Sequence, residues 1–99
     1  MSDMLWTIAD MVEAMQARTI GEMPHGITGL SIDSRSINTG EAYFAIKGDL
    51  HDGHKFTGSA HANGGALSVV SEDWVDRLGA DCGPLLVVDN VLQGLERLG

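Results

Sequence analysis

With a single cysteine, Cys82, the chain has no means of closing an internal disulfide. That fits a reducing compartment, where a lone thiol is ordinarily a small buried hydrophobe. Basic residues are scarce, 6 Lys and Arg against 14 Asp and Glu, for a formal charge of −8. An acidic balance of this size argues against a duplex-binding protein and nucleic-acid partners, because phosphate neutralisation needs a basic surface. Any anion bound here must be held by local groups. No apolar run approaches the roughly 20 residues of a membrane span, and the opening MSDMLWTIADMVEAM carries acids where a signal peptide carries bases. The expectation is a cytoplasmic protein with no membrane partner. Also missing are the G-x-x-x-x-G-K-[ST] phosphate loop, the G-x-G-x-x-G fingerprint and the G-x-S-x-G nucleophile elbow. Without them the chain has no evident machinery for nucleotide hydrolysis, and it reads as a binding module.

What is present suffices for one small domain. The 99 residues are 43 % hydrophobic with 13 glycines, and a chain of this size buries about 60 to 70 % of its unfolded surface. Thr7 followed by Asp10 predicts a capped helix over about 8–18, ended by Gly21, with Ile8, Met11, Val12 and Met15 facing the core and Trp6 stapling the first turn. Pro24, His25 and Gly26 make a turn before a strand over 27–33, and the apolar run 42–46 predicts a buried strand. A helix over 57–62, a strand over 66–71, a helical turn over 73–78, a strand over 84–89 and a helix over 91–98 capped by Asp89 or Asn90 complete the order. Strands alternating with short helices predict an α/β fold built on a small mixed, partly parallel sheet with short flanking helices. The last helix has no stop signal before Gly99, so the expectation is a fragment of a longer protein.

Polar groups concentrate between residues 33 and 56, DSRSINTGEAYFAIKGDLHDGHKF. Ser34 and Arg35 offer a hydroxyl, a guanidinium fork and backbone N–H groups at a strand end, a set suited to phosphate; alternatively Ser34 satisfies a turn and Arg35 pairs with a nearby acid. The loop Gly48, Asp49, Leu50, His51, Asp52, Gly53 also reads two ways. Gly48 and Gly53 would permit positive φ while Asp52 bonds neighbouring backbone and exposed N–H groups face a ligand. Otherwise His51, Asp52 and His54 are metal ligands of a small metal-binding or hydrolase module. Lys47 stands at a strand end, where a solvated lysine is ordinary.

This stretch resembles the N-terminal domain of the Mur ligase family, with its D-S-R-x-[IV]-x-x-G-[DE]-x-F-x-A-[IL]-x-G-x-x-x-D-G-H-x-F pattern. The opening Leu5-Trp6-Thr7 and the lead-in I-T-G-L-S-I-D-S-R look most like the branch that joins D-alanyl-D-alanine to UDP-N-acetylmuramoyl-tripeptide, with a neighbouring branch as the near alternative. The resemblance implies a cytoplasmic, three-domain, ATP- and Mg²⁺-dependent ligase of peptidoglycan precursor synthesis. It implies that residues 1–99 are the N-terminal UDP-substrate-binding domain, that ATP and D-alanyl-D-alanine bind domains absent here, and that this chain alone is inactive. By the same resemblance, Ser34 and Arg35 lie near uridine and pyrophosphate, and Gly48, Asp49, Leu50, His51, Asp52 and Gly53 line the UDP group, with no catalytic residue and no metal ligand. That favours the anion loop over the metal. Tyr43 and the pair Asn38-Thr39 depart from the family pattern, at positions not expected to touch the ligand.

Overall fold

The computed structural model describes residues 5–46, 52–78 and 83–98. Cys82, Lys47 and the loop positions Gly48, Asp49, Leu50 and His51 lie outside the described residues. A short strand β1 (Trp6–Thr7) leads into helix α1 (Ile8–Met15), where the Thr7 hydroxyl accepts the Asp10 N–H at 3.2 Å. The helix stops earlier than its sequence pattern predicts. Gln16 turns left-handed, with φ 54° and ψ 44°, and its N–H bonds to the Val12 carbonyl. The chain is thereby reversed into strand β2 (Arg18–Ile20), which finds its hydrogen bonds in the sheet rather than in a longer helix. Arg97 reaches back to the Met15 carbonyl at 3.4 Å and so serves one of the acceptors left open at the helix end.

The single strand predicted over 27–33 is two. β3 (Gly26–Ile27) pairs antiparallel with β1, and β4 (Gly29–Ser31) pairs parallel with β5 (Glu41–Phe44). Thr28 marks the change of partner, its N–H directed to the Gly40 carbonyl at 3.0 Å. A 3-10 helix (Gly53–Phe56) runs into α2 (Thr57–Ala62), followed by β6 (Leu67–Ser71), a second 3-10 helix (Glu72–Arg77), β7 (Leu85–Val88) and α3 (Val91–Leu98). Asn90 caps α3, accepting the Gln93 N–H at 2.9 Å.

The main sheet has the order β2-β7-β6-β5-β4, with β4 to β7 mutually parallel and β2 antiparallel at one edge. This is the mixed, partly parallel α/β sheet that the alternating pattern predicts. Its central strands are buried on both faces, as their unbroken apolar runs require. Ala42, Phe44, Leu67, Val69, Leu86 and Val88 point to one side, where Ile8, Met11 and Met15 of α1 and Val91 of α3 cover them. Tyr43, Val70, Leu85 and Val87 point to the other, against Ala60 of α2 and Ile37. Among the described residues no helix is long and apolar enough to cross a membrane.

Because β4 to β7 run the same way, their carboxyl ends open along one edge. There the chain leaves the sheet at Ile32 to Arg35, at Ile46, at Ser71 and at Asp89. In open α/β sheets that edge is where ligands bind.

Candidate functional site

Two clefts lie along this edge. The larger, about 720 Å³, is walled by Asp33, Ser34 and Arg35 after β4, by Ile46 and Gly53 after β5, and by Ser59 and Asn63 of the α2 segment. Tyr43 is its floor, and the half-exposed apolar side chains Ile32 and Phe56 stand at its rim. The smaller, about 330 Å³, lies between the ends of β5, β6 and β7 and is lined by Asp52, His54, Ser71, Asp73, Trp74 and Asp89, among others. Three of the predicted site residues, Ser34, Arg35 and Gly53, therefore share one cleft. Asp52 faces the neighbouring one.

The D-S-R turn is built by Asp33. Its Oδ1 accepts the Arg35 backbone N–H at 2.9 Å and Nε–H at 3.2 Å, while Oδ2 accepts Nη2–H at 3.3 Å. The pairing with a nearby acid, open in the sequence, is present. The Arg35 guanidinium lowers the Asp33 pKa from the ordinary carboxylate value, its own backbone N–H adding to the effect. The Arg35 side chain remains 88 % exposed, so it is free to share its donors with an arriving anion. Ser34 is buried, and its carbonyl accepts the Asn63 Nδ2–H at 2.8 Å. Asn63 thus pins the turn to the end of α2. Nothing in the sequence signals that bond, whose partners are 29 positions apart.

Gly53 differs from its sequence expectation. It does not take up a positive φ; the positive-φ glycines of the described residues are Gly21, Gly40, Gly64 and Gly83. Space is the reason for glycine here. A Cβ on Gly53 would stand 2.8 Å from both the nitrogen and the oxygen of Ile46 and 2.9 Å from the Tyr43 hydroxyl. The Gly53 N–H donates to the Ile46 carbonyl at 2.8 Å, and its own carbonyl accepts from Tyr43 Oη at 2.8 Å. Tyr43, at a position not expected to touch the ligand, therefore lines the cleft and braces its wall. Burial, with the nearby charges of Asp33 and Asp52, pushes the Tyr43 phenol up to about 12, so it stays a donor at neutral pH. One signal was available: a phenol inside an apolar strand needs a buried partner.

Asp52 bonds neighbouring backbone as its sequence position suggests, accepting the His54 N–H at 3.1 Å. The same Oδ1 lies 2.6 Å from His54 Nδ1, and His54 Nε2 accepts the Ser71 N–H at 2.9 Å. Both ring nitrogens are thus engaged by protein groups, leaving the imidazole no lone pair to offer a metal. Among the described residues no three His, Cys, Asp or Glu side chains are grouped to hold one. Near this ring, Ser71 Oγ donates to Asp73 Oδ1 at 2.6 Å and lowers the Asp73 pKa.

Fold and clefts together define an α/β domain with two clefts at the carboxyl ends of its parallel strands. The model of the Mur ligase family, catalytic domain, matches residues 26–98, and the chain belongs to that family. The crystal structure of MurF from Acinetobacter baumannii superposes with a TM-score of 0.80 at 28 % identity, over 94 % of this chain and 20 % of that one. The UDP-N-acetylmuramoyl-L-alanyl-D-glutamate–2,6-diaminopimelate ligase of Geobacter sulfurreducens is 41 % identical over 66 residues, 67 % of this chain and 12 % of its own length. The UDP-N-acetylmuramoyl-tripeptide–D-alanyl-D-alanine ligase of Synechocystis sp. is 33 % identical over 66 residues, 67 % of this chain and 14 % of its own. The chain spans about an eighth of these curated relatives.

Proposed function

We propose that residues 1–99 are the N-terminal UDP-substrate-binding domain of an ATP-dependent, amide-forming Mur ligase acting in cytoplasmic peptidoglycan precursor synthesis. The observation that carries this reading is the cleft at the ends of β4 and β5, where Ser34, Arg35 and the Gly53 backbone meet between apolar rims. Ile32 and Phe56 suit the faces of a uracil ring. The Ser34 hydroxyl and the Arg35 fork suit phosphate oxygens. The same reading assigns UDP contacts to Gly48, Asp49, Leu50 and His51, which lie outside the described residues. Holding the nucleotide handle far from the reacting carboxylate orients the reacting end with binding energy that takes no part in the chemistry.

The residues present do not fit an ATP and Mg²⁺ site. The sequence holds no phosphate loop, Asp33, Asp52 and Asp73 already accept protein hydrogen bonds, and among the described residues Asp89 of the smaller cleft is not grouped with other carboxylates or histidines to hold a metal. ATP, Mg²⁺ and the incoming amino component belong, in this reading, to parts of the enzyme beyond this chain. The substrate favoured is UDP-N-acetylmuramoyl-tripeptide, with D-alanyl-D-alanine as the second component, because a MurF crystal structure is similar across 94 % of the chain. The 41 % identity to the diaminopimelate ligase supports a MurE-type substrate as the second reading.

Titrating the chain with UDP tests the cleft: amide NMR shifts at Ser34, Arg35, Gly53, Phe56 and Asn63 are expected. Shifts confined to other residues, or none at millimolar UDP, overturn the reading. For the branch, the intact protein is mixed with ATP and either UDP-N-acetylmuramoyl-tripeptide plus D-alanyl-D-alanine or UDP-N-acetylmuramoyl-L-alanyl-D-glutamate plus diaminopimelate. Phosphate release with the first pair alone is expected; release with the second alone selects the other branch.

A further inference from the structure

His54 is 4 % exposed and sits behind the wall of the large cleft without lining it. Its Nδ1 is 2.6 Å from Asp52 Oδ1, its Nε2 is 2.9 Å from the Ser71 nitrogen, and its ring stacks on Trp74 with centroids 4.9 Å apart and planes 7° from parallel. A backbone amide can only donate, so Nε2 is the acceptor and Nδ1 carries the hydrogen to Asp52. One neutral tautomer is thus fixed from both sides. The Thr57 hydroxyl holds the His54 carbonyl at 3.2 Å. The residue immediately before it is Gly53, which lines the cleft and is bonded at both its N–H and its carbonyl.

We propose that His54 is a positioning residue for the nucleotide handle: by bridging Asp52 to the end of β6 at Ser71, it sets where the Gly53 backbone stands in the cleft. The role rests on the nucleotide reading of that cleft. Tyr43 and Ile46 hold Gly53 from β5, and His54 supplies the tie from β6. Fixing the wall from two strands removes an ordering cost from binding, and this preorganisation is what the imidazole contributes. A purely structural histidine would support stability alone.

The experiment separates the two. His54→Phe keeps an aromatic ring on Trp74 and removes both polar ties, His54→Gln restores an acceptor toward Ser71, and Met11→Ala destabilises the opposite core face without touching the loop. Isothermal titration with UDP is expected to show affinity reduced about tenfold in His54→Phe, partly recovered in His54→Gln, and within about twofold of wild type in Met11→Ala. Thermal melts confirm that the variants are folded at the assay temperature. Wild-type affinity in His54→Phe, or an equal loss in Met11→Ala, overturns this role alone. Failure of the wild-type chain to bind UDP overturns the cleft reading and this role with it.

Discussion

Replacing Tyr43 by Phe removes one hydroxyl from the floor of the cleft, and its consequences can be worked through. The phenol is 2 % exposed, and it donates to the Gly53 carbonyl at 2.8 Å. Deleting it deprives a wall carbonyl of its donor, and leaving a buried acceptor unsatisfied costs about 1 to 3 kcal/mol. The lower half of that range is expected here, because the carbonyl borders a cleft that water can enter. For a domain near this size each kcal/mol shifts the melting temperature by roughly 4 to 8 °C. Urea unfolding should move its midpoint and leave the slope unchanged. UDP affinity should fall as well, since the lost bond positions Gly53. The wild type offers an independent check, because Tyr43 is the only tyrosine in the chain and phenolate absorbance reports it alone. Its pKa is raised to about 12 in the fold, against about 10 unfolded. The protonated phenol therefore contributes stability that is complete below pH about 10 and is lost as the pH rises toward 12. A Tyr43→Phe variant within about 0.3 kcal/mol of wild type, or a phenol titrating at about 10 in the folded chain, refutes the reasoning.

Gly53→Ala should destabilise by about 1 to 3 kcal/mol and weaken UDP binding, since the added methyl meets the Ile46 backbone at 2.8 Å and backbone cannot swing aside; a melt unchanged from wild type would show that the wall yields. Arg35→Ala should leave stability within about 0.5 kcal/mol, because the side chain is exposed, yet lower UDP affinity by roughly tenfold and flatten its salt dependence. Calorimetry at two ionic strengths reads this, and an unchanged affinity removes Arg35 from the site. The carboxyls of Asp33, Glu72 and Asp73 are all lowered, chiefly by Arg35, Arg18 and the Ser71 hydroxyl respectively. A folded pKa below the unfolded one gives stability that is present above about pH 4 and lost as the pH falls through the folded value, by a modest amount for groups this exposed. Melting temperatures recorded downward from neutral pH should therefore decline below about pH 4; a rise there would reverse the sign.

Much of the architecture was legible because its signals are local. The runs at β6 and β7 and the helices α2 and α3 stand where apolar continuity, caps and glycines place them, within a residue or so at each end. Elsewhere the deciding interaction lies far along the chain. Gln16 carries no turn signature, so α1 ends by a left-handed residue that propensity does not mark, and Arg18 to Ile20 become a strand only because β7 offers an edge. The split of β3 from β4 at Thr28 has the same origin: a switch of partner leaves no trace in a two-residue alternation. The Asp33 to Arg35 pairing of the D-S-R turn was readable as the plainer option, because it follows from neighbours in sequence. Asn63 on Ser34 and His54 on Ser71 were not, since a side chain does not name a distant backbone partner. Gly53 was singled out correctly as a glycine, but the reason is crowding by Ile46 and Tyr43 rather than φ.

The second core of the sheet includes the floor of the cleft: Tyr43 is buried with Val70, Val87 and Ala60 and also faces the cleft. In the nucleotide reading of this cleft, ligand preference and folding are therefore drawn from the same residue. Variation at the rim, at Ile32, Arg35 or Phe56, can retune what the cleft accepts while the fold stands. Variation at the floor is filtered first by whether the chain folds, so this domain has more freedom to change how it grips a ligand's outer parts than how deeply it seats one.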